Sequence, residues 1–208
     1  MNFFVTGTDT DVGKTYVTSL LTKSLRKAGF DTVAMKPVSC GESEDTLILR
    51  AAANNELSLE EVTPCAYKTP LAPIVAARLE GRLFEPELVL TVFERLNRTH
   101  RSILIEGIGG WLVPLTHGYT SADLAVAMAL PVLLVVRNRL GAINHTLLTM
   151  ESIRAHGLSC GGIVLNNHPS DAGDRASESN RQMLRELSTP PLLFEIFPRQ
   201  QQIELAVA

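Results

Sequence analysis

The chain opens with an apolar run, NFFVT (2–6), that passes through GTDTDVGKT (7–15) into the helix-period segment KTYVTSLLTKSLRKA (14–28). A strand feeding a glycine-bearing loop and then a helix is the setting of a phosphate-binding loop. Loop and first-turn N–H groups face an anion, and the helix dipole adds positive potential there. Lys14 follows Gly13 and supplies a point charge for the β- and γ-phosphates, and Thr15 carries the hydroxyl type that ligates Mg²⁺. The spacing departs from the usual pattern, because Thr8 stands where a glycine is expected and Gly7 lies one step earlier. A lengthened loop can carry Asp9-Thr10-Asp11 past the phosphates toward a second substrate, which favours a transferase or ligase over a plain hydrolase. The alternative is a strand–helix turn with a surface lysine.

Beyond the loop, β-rich runs alternate with helix-period segments, the signature of a parallel sheet covered on both faces. Strands are predicted at 2–6, 32–38, 102–107, 132–136, 162–166 and 191–196, several apolar at consecutive positions as doubly buried strands should be. Helices are predicted at 14–28, 44–54, 72–80, 86–98, 121–128, 144–156 and 174–187. The fold class is α/β: a mostly parallel sheet flanked by helices on both faces, of the P-loop nucleoside triphosphate hydrolase type. With 208 residues, no repeat and no linker, residues 1–208 read as a single domain.

A net charge of −3 without a Lys/Arg run argues against a nucleic-acid partner. Three cysteines without C-x-x-C spacing argue against a disulfide framework or zinc site and fit a reducing, cytoplasmic setting. The longest apolar run, AVAMALPVLLVV, contains a proline and is too short to span a bilayer, so no membrane partner is expected.

Ligands of open α/β sheets gather at the carboxyl ends of the strands. TVAMKPV places Lys36 at the end of an apolar run, where a desolvated ammonium needs an anionic partner. SILIEGIGG places Glu106 likewise, before glycines that let backbone approach a ligand, and an acid beside a triphosphate is a natural Mg²⁺ ligand. Asp45 competes for such a role with Glu42 and Glu44. Asn166 and Asn167 end GIVLNN as either purine-reading amides or turn formers. In RLGAINHTLLT, Asn144 can cap a helix whose N-terminus could also hold a carboxylate.

Taken in order, GTDTDVGKT, KPV-x-x-G, EGIGGW, RLGAINHTLLT and VLNNH resemble the dethiobiotin synthetase family from residue 2 to about 198. The lengthened loop is that family's own form. The resemblance implies a homodimer that closes the ureido ring of dethiobiotin from 7,8-diaminononanoate, CO₂ and ATP with Mg²⁺, releasing ADP and phosphate. A carbamate on one amine attacks the γ-phosphate, and the second amine captures the mixed anhydride. It implies catalytic roles for Lys14 and Lys36, and metal ligation by Thr15, Asp45 and Glu106. Nucleotide contacts are implied for Asp11, Val12, Gly13, Lys14, Thr15 and Tyr16, for Asp45 and Glu106, and for Gly107, Ile108 and Gly109. Asn166 and Asn167, with Pro198, complete the implied base site. Substrate contacts are implied for Thr10, Lys36 and Cys40, and for Ala142, Ile143 and Asn144 from the partner subunit.

Two positions depart from the family pattern: Cys40 replaces a small hydroxyl residue, and Ile108 replaces alanine. The short tail QQQIELAVA gives reason to expect an incomplete cover over the base. The rival readings are an amidotransferase-type synthetase, which lacks its glutaminase region here, and a ParA/MinD-like ATPase switch. The latter usually carries a second lysine early in the loop, where this chain has Thr8, Asp9 and Thr10.

Overall fold

The computed structural model describes residues 2–188 and 192–203. Among them, strands β1 (Phe3–Gly7), β2 (Thr32–Met35), β5 (Ser102–Glu106), β8 (Val132–Arg137), β9 (Cys160–Asn166) and β10 (Leu192–Ile196) form one sheet. Its order is β10-β9-β8-β1-β5-β2, and every pairing in it is parallel. The predicted sheet is thus present, with the last strand beginning at Leu192; residue 191 of that prediction lies outside the described residues.

Side chains alternate across the sheet with the strand period of two. Val5, Leu104, Leu133 and Val135 pack under Val17, Leu20, Leu21 and Leu25 of helix α1 (Lys14–Lys27). Phe4, Ile103 and Ile105 face the opposite way, toward α5 (Pro86–Thr99) and α6 (Ser121–Met128). Helices α2 (Glu44–Ala52) and α4 (Pro73–Glu80) follow the predictions closely, and α8 begins at Ala176 rather than 174. Helix α7 (Ala142–Ala155) starts two residues before its prediction because Gly141, not Asn144, is its cap. Asn144 stands exposed inside the first turn.

The run predicted as a strand over 32–38 divides in two. Pro37 has no N–H for a ladder, so β2 ends at Met35, and Lys36 donates its backbone N–H to Val62 O at 2.7 Å. The chain then leaves the sheet as β3 (Val38–Cys40), paired in parallel with the unpredicted β4 (Cys65–Tyr67). Helix α3 (Leu59–Val62) was also not predicted, although Ser58 and Glu61 form a capping box at its start. Four residues are too few to show a helical period. The antiparallel ribbon β6 (Pro114–Thr116) and β7 (Tyr119–Thr120) is missed for the same reason of length.

β1 sits at the centre, with β5 on one side and β8 on the other, so the chain's crossovers diverge around its carboxyl end. That end is the topological switch point of an open α/β sheet, and the loop 7–13 fills it. No helix among the described residues is long and apolar enough to cross a membrane.

Candidate nucleotide and substrate site

The loop leaves β1 with its path already restricted. A Cβ on Gly7 would lie 2.6 Å from Val12 Cγ2 and 2.8 Å from Asp9 O, so only glycine admits this fold-back. Asp11 adopts a left-handed φ of 57°, and Gly13 caps α1 at φ 92°. No side chain caps α1, which leaves its first N–H groups to serve an anion. Asn166, buried at the end of β9, donates from Nδ2 to Val12 O at 2.9 Å and so braces the loop from below.

Lys14 lies within this turn and donates to Asp9 O at 3.1 Å. Burial pulls its ammonium pKa down to about 8, against the opposing pull of Glu106. A phosphate held by Lys14 would favour the charged form, so nucleotide affinity is expected to be full below pH 8 and to decline as pH rises past it. We expect ATP binding titrated calorimetrically between pH 7 and 9.5 to weaken by up to about tenfold per pH unit above 8. A flat profile would remove Lys14 from phosphate contact.

Around the loop, α1, the end of β2, α2 and β5 bring four side chains together. Thr15 Oγ1 donates to Glu106 Oε1 at 2.8 Å. Lys36 Nζ donates to the same oxygen at 2.7 Å and to Asp45 Oδ2 at 2.6 Å. The anionic partner that burial of Lys36 demanded is therefore doubled. Burial alone would lower the Lys36 pKa, but Glu106 and Asp45 outweigh it and hold the ammonium above its usual value. Burial would likewise raise Asp45, and Lys36 reverses that and keeps its carboxyl below the ordinary range. Of the three competing acids, only Asp45 reaches Lys36; Glu42 lines the cavity and Glu44 faces solvent.

Glu106 is fully buried, and its Oε2 has no hydrogen-bond partner. A buried orphan carboxylate oxygen beside a threonine hydroxyl and a second carboxylate is an all-oxygen donor set. That set fits a hard divalent cation such as Mg²⁺.

Two cavities meet at Asp11 and Gly13. One, of ≈ 510 Å³, runs from Lys14 and Thr15 past Lys36 to Thr10, Cys40, Ile108 and the turn at Pro70–Pro73. The other, of ≈ 450 Å³, is bordered by Tyr16, Asn166, Asn167, Pro169 and Pro198. Gly109, at φ 59°, lines the first, where a Cβ would come within 2.7 Å of Val113 Cγ2. Gly107 lies outside both linings and packs against Phe4. Burial pushes the Cys40 thiol up to about 11, so it stays protonated at neutral pH and acts as a wall rather than a nucleophile.

The segment after β10 borders the second cavity. Tyr16 Oη lies 3.1 Å from Phe197 O and 2.8 Å from Gln200 O, and Ser24 Oγ accepts from Ile203 N at 2.9 Å. The tail thus docks along α1 as far as Ile203; residues 204–208 lie outside the described residues. Tyr16→Phe is expected to raise the Kd for ATP by roughly fivefold, the worth of about 1 kcal/mol. Equilibrium binding of a fluorescent ATP analogue checks this, and an unchanged Kd would detach the tail from nucleotide binding.

Asn167 is committed to structure at both ends of its amide. It donates to Glu195 Oε1 at 2.9 Å and Ile196 O at 3.1 Å, and accepts from Asn138 Nδ2 at 2.7 Å. Asn138 in turn accepts from Asn180 at 2.9 Å. Asn138 and Asn180 went unnoticed in the sequence, because single asparagines in a loop and a helix carry no spacing signal. Ala142, Ile143 and Asn144 line neither cavity of the single chain. The Pro70–Pro73 turn was missed as well, since it follows no strand of the main sheet.

A family described as an AAA domain matches residues 1–204. The ATP-dependent dethiobiotin synthetase BioD of Akkermansia muciniphila is 45% identical over 206 residues, covering 99% of this chain and 96% of that protein. The protein of the same name from Bacillus subtilis (strain 168) is 40% identical over 196 residues, covering 92% of this chain and 84% of its own length. Among solved structures, a putative plasmid partition protein from Borrelia burgdorferi B31 bound to AMPPNP aligns with a TM-score of 0.61 at 11% identity. It covers 99% of this chain and 91% of that one, a likeness of fold alone. With its lengthened phosphate loop and 40–45% identity to these synthetases over most of its length, the chain belongs to the ATP-dependent dethiobiotin synthetase family.

Proposed function

We propose that this chain joins CO₂ to 7,8-diaminononanoate and closes the ureido ring of dethiobiotin, consuming ATP with Mg²⁺ and releasing ADP and phosphate. The observation that carries the reading is the convergence of Thr15, Lys36, Asp45 and Glu106 where the phosphate loop meets a second, deeper cavity. A hydrolase needs room for water there; a cavity of ≈ 510 Å³ that runs from Lys14 and Thr15 on to Cys40 and Pro70 accommodates a co-substrate beside the phosphates.

The division of labour follows from charge. The uncapped start of α1 and Lys14 hold the phosphates, and the base lies between Tyr16, Asn166 and Pro198. Thr15, Asp45 and Glu106 would hold Mg²⁺, which when bound would supply positive charge to offset that of the phosphates. Lys36 faces the cavity and stabilises negative charge as it passes from the carbamate to the transferred phosphoryl group, preorganised and at no cost in solvent reorganisation. Thr10 and Cys40 bound the diamine. The start of α7, Ala142-Ile143-Asn144, which no side chain caps, meets the diamine's carboxylate tail from a partner subunit in a homodimer. A single monomer mass in sedimentation would remove that helix from the site.

Phosphate release from MgATP with bicarbonate, with and without 7,8-diaminononanoate, tests the whole reading. Release that requires the diamine, with dethiobiotin detected by mass, is expected. Diamine-independent hydrolysis without dethiobiotin would overturn it in favour of an ATPase switch.

A further inference from the structure

Three asparagines run head to tail from helix α8 (Ala176–Leu187) to the end of β10. Asn180 Nδ2 donates to Asn138 Oδ1 at 2.9 Å and to Arg139 O at 3.0 Å. Asn138 Nδ2 donates to Asn167 Oδ1 at 2.7 Å and to Ser177 O at 3.2 Å. Asn167 Nδ2 donates in turn to Glu195 Oε1 at 2.9 Å and to Ile196 O at 3.1 Å. A side-chain amide has two N–H groups to give, so each of the three is fully used.

The direction of this relay is forced. Arg139 O, Ser177 O and Ile196 O are backbone carbonyls, and a carbonyl oxygen can only accept. Turning any one amide over would set oxygen against oxygen or N–H against N–H. Asn138 and Asn180 are 2% and 3% exposed, so water does not repair such a mismatch.

What the relay holds is a wall of the second cavity. β10 is an edge strand of the sheet, bonded on one side only, to β9. Its last two residues, Glu195 and Ile196, take both N–H groups of Asn167. The chain runs on from there to Pro198 and Arg199, which border that cavity. Asn138 also donates its backbone N–H to Asn166 O at 2.8 Å, next to the residue that lines the cavity's other side. Among the described residues, none of the three side chains bonds to the phosphate loop.

We propose that Asn138 is a positioning residue for the nucleobase. Held in one orientation by Asn180, it fixes Asn167, and Asn167 fixes the Pro198 wall against which the base lies. Asn167 then serves the nucleotide without reading it, because it has no N–H left for a base edge. This inference rests on the reading above that seats the base between Tyr16, Asn166 and Pro198. The relay contacts neither the phosphate loop nor the co-substrate cavity, so its effect falls on the base alone.

The test compares two ligands that share their phosphates but not the base. The full chain is titrated calorimetrically with ATP and with inorganic tripolyphosphate, both with Mg²⁺. Asn138→Leu, of similar volume, is expected to raise the Kd for ATP about tenfold and that for tripolyphosphate less than about twofold. Equal weakening of both ligands, or no change in either, overturns the positioning role. A wild type that binds tripolyphosphate as tightly as ATP removes the base from this cavity, and the inference falls with that reading. Should Asn138→Leu not fold, Glu195→Ala tests the far end of the relay at a position outside the core. It is expected to raise the Kd for ATP about threefold and to leave that for tripolyphosphate unchanged. An unchanged Kd for ATP, or an equal rise for both ligands, overturns the proposal.

Discussion

Lys36→Ala is expected to lower kcat for dethiobiotin formation by about 10²–10³-fold while the Kd for ATP stays within about threefold. The expectation comes from where the side chain is held. Lys36 extends from the end of β2 and reaches two carboxylates and the co-substrate cavity, but makes no hydrogen bond to the phosphate loop. Nucleotide affinity is therefore expected to rest on Lys14 and the start of α1, which the substitution leaves in place. Charge that develops during the reaction loses its stabilising ammonium, and the loss falls on turnover. Steady-state phosphate release alongside calorimetric ATP binding separates the two. Near-normal turnover would remove Lys36 from the chemistry, and abolished ATP binding would make it structural.

The second large effect is on the loop itself. Gly13→Ala is expected to abolish measurable ATP binding and lower the melting temperature by about 5–15 °C. At φ 92° an alanine is forced into a left-handed conformation, which costs about 1–2 kcal/mol. Its Cβ would also lie 2.2 Å from Asn166 Nδ2, too close for any real contact. Asn166 must then move and release Val12 O, a loss of about 1–3 kcal/mol for a buried pair. The sum of these two terms sets the expected melting shift. Loss of the N–H cradle accounts for the binding defect. A Gly13→Ala protein with wild-type melting and ATP affinity would mean the loop does not adopt this turn when occupied.

The strands of the main sheet were legible because burial on both faces writes itself as consecutive apolar residues. Lys36 and Glu106 stood out for the same reason: each is a charge placed where such a run ends. Their direct pairing was not legible, since β2 and β5 are neighbours only through a crossover that separates the two residues by 70 positions. The departure at Pro37 shows a related limit. The proline was visible, but not that the following residues would find a partner strand at Cys65–Tyr67, because three-residue strands have too short a pattern to read. Asn144 illustrates the opposite error: a good capping residue near a helix start was given the cap, while glycine at φ 91° one turn earlier holds it.

What the sequence determined by itself was local and chemical: the strand–loop–helix with its lysine and threonine, the alternation that makes a parallel sheet, and the family. Those follow from periodicity and from backbone requirements of a few adjacent residues. Tertiary structure alone decided that Asp45 pairs with Lys36, that Glu106 keeps one buried oxygen unpartnered, and that Asn167 is committed to Asn138 and Glu195. Each of these depends on which strand ends the crossovers bring together. Distances across a sheet are set by packing of the whole core, and no short stretch of sequence records them.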